Sequence, residues 1–365
     1  MGRRAGGLDR LHDRGRDPDL RPRRRLLRPG RRGAQRRHPS RLRRHRRVRR
    51  RRPLPPARGG LMHFNAHVHM SQWGRDFTPE LAEIHLAQFR GRDSWITGEP
   101  WTPEGWCVDG DQLIAHMDEA GVERALVMCL AYVPLGAYDP TMGDYIADLV
   151  AAHPDRLVGF YSANPLGGAE EADRLRHYVR DRGLSGLKML PSYNYVAIND
   201  RRIWPMYEAA AELGVPITLH TGWSSLPAGK SLAYDHPLYI EDALVDFPDL
   251  RPILAHCGFA WSELVLMLMA RDTRVAADFA WWSPSQPTWR AAQTLSMAKY
   301  LDVFDRLFWG TDYPFTDFGS DEAYWRSIPE VCRRLGLEPE VTEEDIERFL
   351  GPNFAAFLDA NAPRR

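Results

Sequence analysis

No apolar run in the chain reaches 18 residues, so no segment has the length and hydropathy of a membrane-spanning helix. The four cysteines, Cys107, Cys129, Cys257 and Cys332, are scattered without a Cys-x-x-Cys, so the chain lacks that paired-thiol motif. Cys129 and Cys257 fall inside apolar strand-like runs and read as free buried thiols, so a reducing, cytoplasmic setting is expected. No Gly-x-Gly-x-x-Gly follows the first strand-like segment, which argues against a dinucleotide-binding doubly wound sheet.

Residues 1–61 lack lysine, glutamate and aromatic residues, and hold 24 arginines against four aspartates, a net of +20. Such a segment has nothing with which to build a core. The remaining 304 residues carry 25 basic and 44 acidic side chains, a net of −19, so the near-neutral total is a cancellation. Arginine runs neutralise phosphates, but no aromatic residue is interleaved to stack bases and the attached body is acidic, which argues against nucleic acid as a partner. The segment also lacks an apolar core for a signal peptide and has one serine, Ser40. Residues 1–61 are therefore expected to be a disordered leader or a mis-assigned N-terminal extension ahead of Met62. Residues 62–365, with all 12 tryptophans, are expected to form the folded domain.

Within that body, strand signals occur at 62–69, 124–130, 156–164, 184–190, 215–221, 252–257, 274–280 and 306–312. Helical patterns lie between them, at 111–120, 144–152, 169–182, 202–213, 240–246, 262–271 and 290–304. Several helices stop at a glycine just before the next strand, as at Gly121, Gly183 and Gly214. Repeated strand, helix, glycine units imply parallel strands joined by right-handed crossovers, and eight of them predict an α/β fold, a (β/α)8 TIM barrel.

His67 and His69 stand one residue apart on the first strand, where side chains at i and i+2 share a face and both imidazoles can reach one cation. Three later apolar runs end in residues able to supply further ligands: His220, His256 and Asp312. Each lies at the C-terminal end of its strand, where a (β/α)8 barrel gathers its chemistry. Imidazoles with one carboxylate suit a single divalent ion, Zn²⁺ first and Mn²⁺ as the alternative.

Insertions at 71–108 and 313–340 interrupt the alternation after strands 1 and 8, and are expected to cap the barrel. They carry Trp73, Trp95, Trp101 and Trp106, and Phe315, Phe318 and Trp325. Trp223 and Trp281, with Trp261 and Trp282, follow later strands and would line the mouth with flat apolar surface, which favours a small cyclic or aromatic acidic substrate.

The segments Ala66-His-Val-His69, Gly186-Leu-Lys188, Thr218-Leu-His220-Thr-Gly222, Ala255-His256-Cys-Gly258, Trp309-Gly-Thr-Asp312-Tyr-Pro314 and Leu350-Gly-Pro-Asn353-Phe354 resemble the amidohydrolase-related metal-dependent TIM-barrel proteins. The likeness is strongest to the branch that includes aminocarboxymuconate-semialdehyde decarboxylase and many predicted hydrolases. It implies that His67, His69, His220 and Asp312 bind the metal and that His256 is an unligated catalytic residue. Binuclear members of the wider group use a carboxylated lysine on strand 4, where Lys188 stands; in the mononuclear branch Lys188 is expected to contact an anionic group of the substrate.

A divalent ion in such a site would activate water and polarise a carbonyl, with Asp312 accepting a proton and His256 stabilising charge or protonating a leaving group. The first expectation is thus hydrolysis, the second non-oxidative decarboxylation by the same apparatus. The cation a decarboxylase needs would come from Arg75, Arg92 or Arg290. A barrel without catalysis, serving as a binding protein, is the third reading; it predicts a missing ligand, and none is missing. Substrate identity and a homo-oligomeric state stay open.

Overall fold

The computed structural model describes residues 62–89, 91–223 and 232–364; the expected leader over 1–61 lies outside them. Eight strands follow in order: β1 (Phe64–His69), β2 (Arg124–Met128), β3 (Leu157–Ser162), β4 (Gly186–Met189), β5 (Pro216–Leu219), β6 (Arg251–Leu254), β7 (Ala276–Asp278) and β8 (Leu307–Phe308). They hydrogen-bond in sequence order, every neighbouring pair parallel. The segment after β8 brings the sheet back to its first strand. Ala66 N–H donates to the Trp309 carbonyl at 2.8 Å, Asp312 N–H to the His67 carbonyl at 3.0 Å, and His69 N–H to the Tyr313 carbonyl at 2.7 Å. The eight expected strands and the barrel they predict are therefore present.

The α-helices are α1 (Pro79–Gln88), α2 (Gly110–Ala120), α3 (Met142–Ala152), α4 (Gly168–Arg180), α5 (Trp204–Leu213), α6 (Ile240–Asp246), α7 (Ser262–Arg271), α8 (Trp282–Ser285), α9 (Thr288–Tyr300), α10 (Phe318–Arg326), α11 (Ile328–Leu335), α12 (Glu343–Phe349) and α13 (Pro352–Ala360), with short 3-10 turns between several of the elements. Local chemistry sets the ends of α2: Asp109 and Gln112 form a reciprocal capping box, and Gly121 closes the helix at φ +73°, a conformation that costs a residue with a Cβ.

Residue parity sorts the strands' side chains. Ala125, Val127, Leu187, Met189, Ala277 and Leu307 pack against the helices, whereas Leu126, Met128, Phe160, Ile253, Ala276 and Phe308 form a second apolar cluster with Phe64 and Ala66. That inner cluster is closed from below by α13, whose Phe354 ring meets Phe64 at 4.8 Å and Phe308 at 5.1 Å. Lys188 and Asp278 share the inner parity and stand toward the strands' C-terminal ends, so the polar residues sit on an apolar floor.

Only part of the two insertions forms a cap. Residues of 71–108 build an aromatic layer over the barrel, with Trp101 and Trp106 stacked at 4.8 Å and Trp95 Nε1 donating to the Pro314 carbonyl at 2.8 Å. Of the second insertion, Phe315 joins that layer, while α10 and α11 pack on the outer side, beside α2 and α9. Trp325 is wholly buried there, against Phe279 and Phe349. The reason is topological: an eighth strand needs a helical layer returning to the first, and α10 and α11 supply it.

Candidate active site

Strand β1 places His67 and His69 on the inner rim with their Nε2 atoms 3.1 Å apart. A bulge lies between Asn65 and Val68, where the register against β2 slips by one residue and re-aims the side chains around it. Asp312 arrives from the turn after β8 with φ +63°, and its Oδ1 stands 3.1 Å from His69 Nε2 and 3.5 Å from His67 Nε2. Donor atoms about 2.1 Å from one cation lie about 3.0 to 3.4 Å from each other in tetrahedral or octahedral arrangements, so the spacing of this trio fits a single divalent ion. Among the described residues these three form the one group whose donor atoms all fall within 4.8 Å of one another.

His220, at the end of β5, borders the same cavity but is not part of that trio. Its Nδ1 is 2.8 Å from Asp235 Oδ2, which leaves Nε2 as its donor. Asp235 is wholly buried and also accepts from the Ser192 N–H at 2.9 Å. His256, after β6, is fixed from three sides. Its Nδ1 donates to the Ala280 carbonyl at 2.9 Å, its backbone N–H to Asp278 Oδ1 at 3.0 Å, and its own carbonyl accepts from Trp282 Nε1 at 2.7 Å. The His256 ring lies 4.8 Å from that of His220 and 5.3 Å from that of His67. His256, Cys257, Phe259, Trp281 and Asp312 all adopt positive φ, so non-glycine residues in the left-handed region gather at this rim.

Burial lowers His69 to about 4. Burial, then the neighbouring His220, hold His256 well below an ordinary imidazole. For Asp312, burial pushes upward but the hydrogen bond and positive potential of His69, with His67 and His256, outweigh it and keep the carboxyl below the usual range. Asp278 shows the same competition and falls to about 2, with His67 the chief partner. At neutral pH His69 therefore offers an uncharged imidazole lone pair and Asp312 an anionic carboxylate, the protonation states that metal ligands require.

Lys188 is buried beneath the trio, its Nζ 3.1 Å from His67 Nε2, and it does not line the cavity. Burial draws its ammonium down to about 8 against the pull of Asp278, Asp312 and Asp235. Trp223 and Trp281 do line the cavity, with Phe89, Phe259, Phe315, Tyr132 and Tyr193. Trp282 is spent on the His256 carbonyl, and Trp261 packs on His236 at 4.6 Å. The three arginines expected to supply a cation are occupied elsewhere or solvent-facing. Arg75 pairs with Asp76 at 2.8 Å, Arg290 donates to the Phe259 carbonyl at 2.9 Å, and Arg92 is exposed.

Asp278, Asp235 and His85 were not anticipated from the sequence. Asp278 ends the apolar run Val275-Ala-Ala, the same signal that marked His220 and His256, whereas Asp235 ends a short 3-10 turn (Leu232–Asp235) and His85 sits in a helix, where no spacing singles them out.

A family model described as Amidohydrolase matches residues 66–359. Among solved structures, an uncharacterized TIM-barrel protein from Bordetella bronchiseptica aligns at 20% identity and TM-score 0.60 over 82% of this chain and 99% of its own. The 5-carboxyvanillate decarboxylase of Sphingomonas paucimobilis aligns at 18% identity and TM-score 0.56 over 82% of this chain and 99% of its own. A dihydroxybenzoic acid decarboxylase from a Polaromonas species, with bound manganese and the inhibitor 2-nitroresorcinol, aligns at 16% identity and TM-score 0.59 over 83% of this chain and 98% of its own. At these identities the structural likeness speaks to the barrel itself.

Proposed function

The chain belongs to the amidohydrolase family, and from that premise we propose that it is a metal-dependent, non-oxidative decarboxylase of a small aromatic carboxylic acid. One observation carries the reading. The cavity over His69 and Asp312 is walled by the rings of Phe89, Phe259, Trp281 and Phe315, with His256 as the acid–base group among them. Loss of CO₂ disperses a carboxylate's charge into the ring, so a water-poor aromatic enclosure favours the transition state over the ground state. The decarboxylases among the similar structures act on aromatic acids by name, which supports the same class. The sequence put hydrolysis first; the family's description keeps it as the second reading, but the ring-lined cavity favours CO₂ release.

His67, His69 and Asp312 would hold the ion, with His220 completing the set. A divalent ion bound there supplies Lewis acidity toward a substrate oxygen. Manganese is present in the Polaromonas structure, and zinc is the ion the sequence favoured.

The Nδ1–H···O=C bond to Ala280 fixes the His256 tautomer so that Nε2 carries the lone pair. Nε2 takes a proton from a substrate hydroxyl and delivers it to the ring carbon bearing the carboxylate. Burial makes the imidazolium a strong acid, which suits that delivery. The carbon–carbon bond then breaks, its electron pair restores the aromatic ring, and CO₂ leaves. The phenolate left behind takes a proton from solvent, so one proton is consumed per turnover.

The test uses the full chain loaded with Mn²⁺ or Zn²⁺ and a panel of aromatic carboxylic acids, lactones and amides, with CO₂ and acid followed separately. CO₂ release with uptake of one proton is expected. Acid production without CO₂ would replace this reading with the hydrolytic one. Less than about half an equivalent of bound metal per chain would remove the metal-dependent reading altogether.

A further inference from the structure

His85 lies on α1, in the layer that covers the barrel, and borders the cavity together with His69 and Asp312. It is 2% exposed, and neither Nδ1 nor Nε2 has a hydrogen-bond partner among the described residues. Its ring is clamped on three sides: stacked on Phe315 at 4.9 Å and an interplanar angle of 7°, and tilted against Phe77 at 5.3 Å and Trp106 at 5.6 Å. Phe315 in turn meets the His69 ring at 6.3 Å, so His85 stands one aromatic ring away from the metal-binding trio, on the cap side.

In such a box a phenylalanine would pack at least as well. Burying an imidazole there with both nitrogens unpaired forfeits the hydrogen bonds that water would make to them. A polar ring at the cavity wall, its two nitrogens unpaired and covered, is arranged for a partner that enters the cavity and turns one nitrogen toward itself. We infer that His85 reads a hydroxyl or carbonyl substituent on the substrate, at the end of the molecule directed away from the metal ligands. The inference rests on the reading of the cavity as a site for an aromatic carboxylate.

Charge narrows the ligand class. Burial holds His85 down at about 3, so the ring is neutral at physiological pH and presents one N–H donor and one lone pair. A hydroxyl matches that pair in either sense, whereas a second carboxylate would find no positive charge to meet. The arginines that could have supplied one, Arg75 and Arg290, are directed to Asp76 and to the Phe259 carbonyl. The expected substrate is therefore a monocarboxylic aromatic acid with a neutral polar substituent.

The experiment is a binding titration of the Mn²⁺-loaded full chain by intrinsic tryptophan fluorescence. The probes are benzoate, meta-hydroxybenzoate and para-hydroxybenzoate, run on the wild type, His85→Phe and His85→Gln. The wild type is expected to bind one hydroxybenzoate about 10-fold or more tighter than benzoate. His85→Phe should erase that preference while keeping the benzoate Kd within about 3-fold and the manganese content unchanged. His85→Gln, which retains a donor and an acceptor, should recover part of it. An equal loss for all three probes in His85→Phe would make the residue a packing element and overturn the inference. So would a preference that survives the substitution, or the absence of binding by all three probes. Binding is read without turnover, so a chain that discriminates through His85 yet releases no CO₂ would sink the decarboxylase reading and leave this one standing.

Discussion

Asp278 accepts a hydrogen bond from His67 Nδ1 through Oδ2 at 2.9 Å, and with its other oxygen it accepts from the backbone N–H groups of His256 and Ala280, each at 3.0 Å. One carboxylate at the end of β7 thus orients the His67 imidazole and anchors the loop that carries His256, the two groups proposed above as metal ligand and acid–base residue. Because Nδ1 of His67 carries the proton, Nε2 is left as a lone pair facing His69 and Asp312.

Asp278→Asn keeps the shape of that link but removes its charge. Metal affinity should fall about 10- to 100-fold, read by competition with a chelator, and turnover should fall with it even at saturating metal because the His256 loop loses a charged acceptor. An unchanged metal affinity would mean that His67 is held by β1 alone.

Gly222 and Gly258 bring the loops after β5 and β6 into contact. A Cβ on Gly222 would stand 2.5 Å from the Gly258 carbonyl carbon, and the residue's φ is +88°. Gly222→Ala should destabilise the fold by about 2 kcal/mol or more in urea unfolding, and should reduce activity further by separating His220 from His256. A loss under about 0.5 kcal/mol would show that the loops part freely and that their approach does not hold the site together.

Much of the site could be read from the chain because the barrel imposes a rule: polar residues that end apolar runs meet at one rim. His67, His69, His220, His256 and Asp312 obeyed it, and the eight strands carried them to one cavity rim, or directly beneath it for His67. What escaped were the residues that act through others. Asp278 ends a run just as clearly, but nothing in a sequence distinguishes a ligand from the carboxylate behind it. Asp235 reaches His220 only because its loop folds back over Ser192. Helix position likewise hid the service of α10 and α11 as outer layer, since an insertion after the last strand reads the same whether it turns inward or outward. Lys188 was placed correctly on β4, yet its depth below the rim depends on strand register.

Trp281 closes the wall between cap and barrel, with its ring 5.6 Å from Phe89 and 6.2 Å from Phe315. Trp281→Ala removes flat surface from the substrate without touching a ligand or His256. KM for an aromatic acid should rise about 10-fold or more while kcat changes far less, measured by steady-state kinetics of CO₂ release. A selective loss of kcat would assign the ring to the chemical step.

His85 ties stability to pH in a direction that can be worked out. The folded state holds it at about 3, against 6.5 for an unperturbed histidine. Between those values the unfolded chain binds a proton there that the folded chain refuses, so unfolding takes up protons and stability falls as pH falls. The contribution is fully present above about pH 6.5 and is lost progressively as pH drops toward 3. Removing one such group lowers the slope of unfolding free energy against pH by up to one proton, about 1.4 kcal/mol per pH unit. His85→Gln should therefore flatten the slope between about pH 4 and 6 by that amount, read by urea titrations at constant ionic strength in the presence of a chelator, so that metal release does not enter the balance. An identical slope in the two proteins would place a proton on His85 in the fold, and the residue would then face the cavity as a cation.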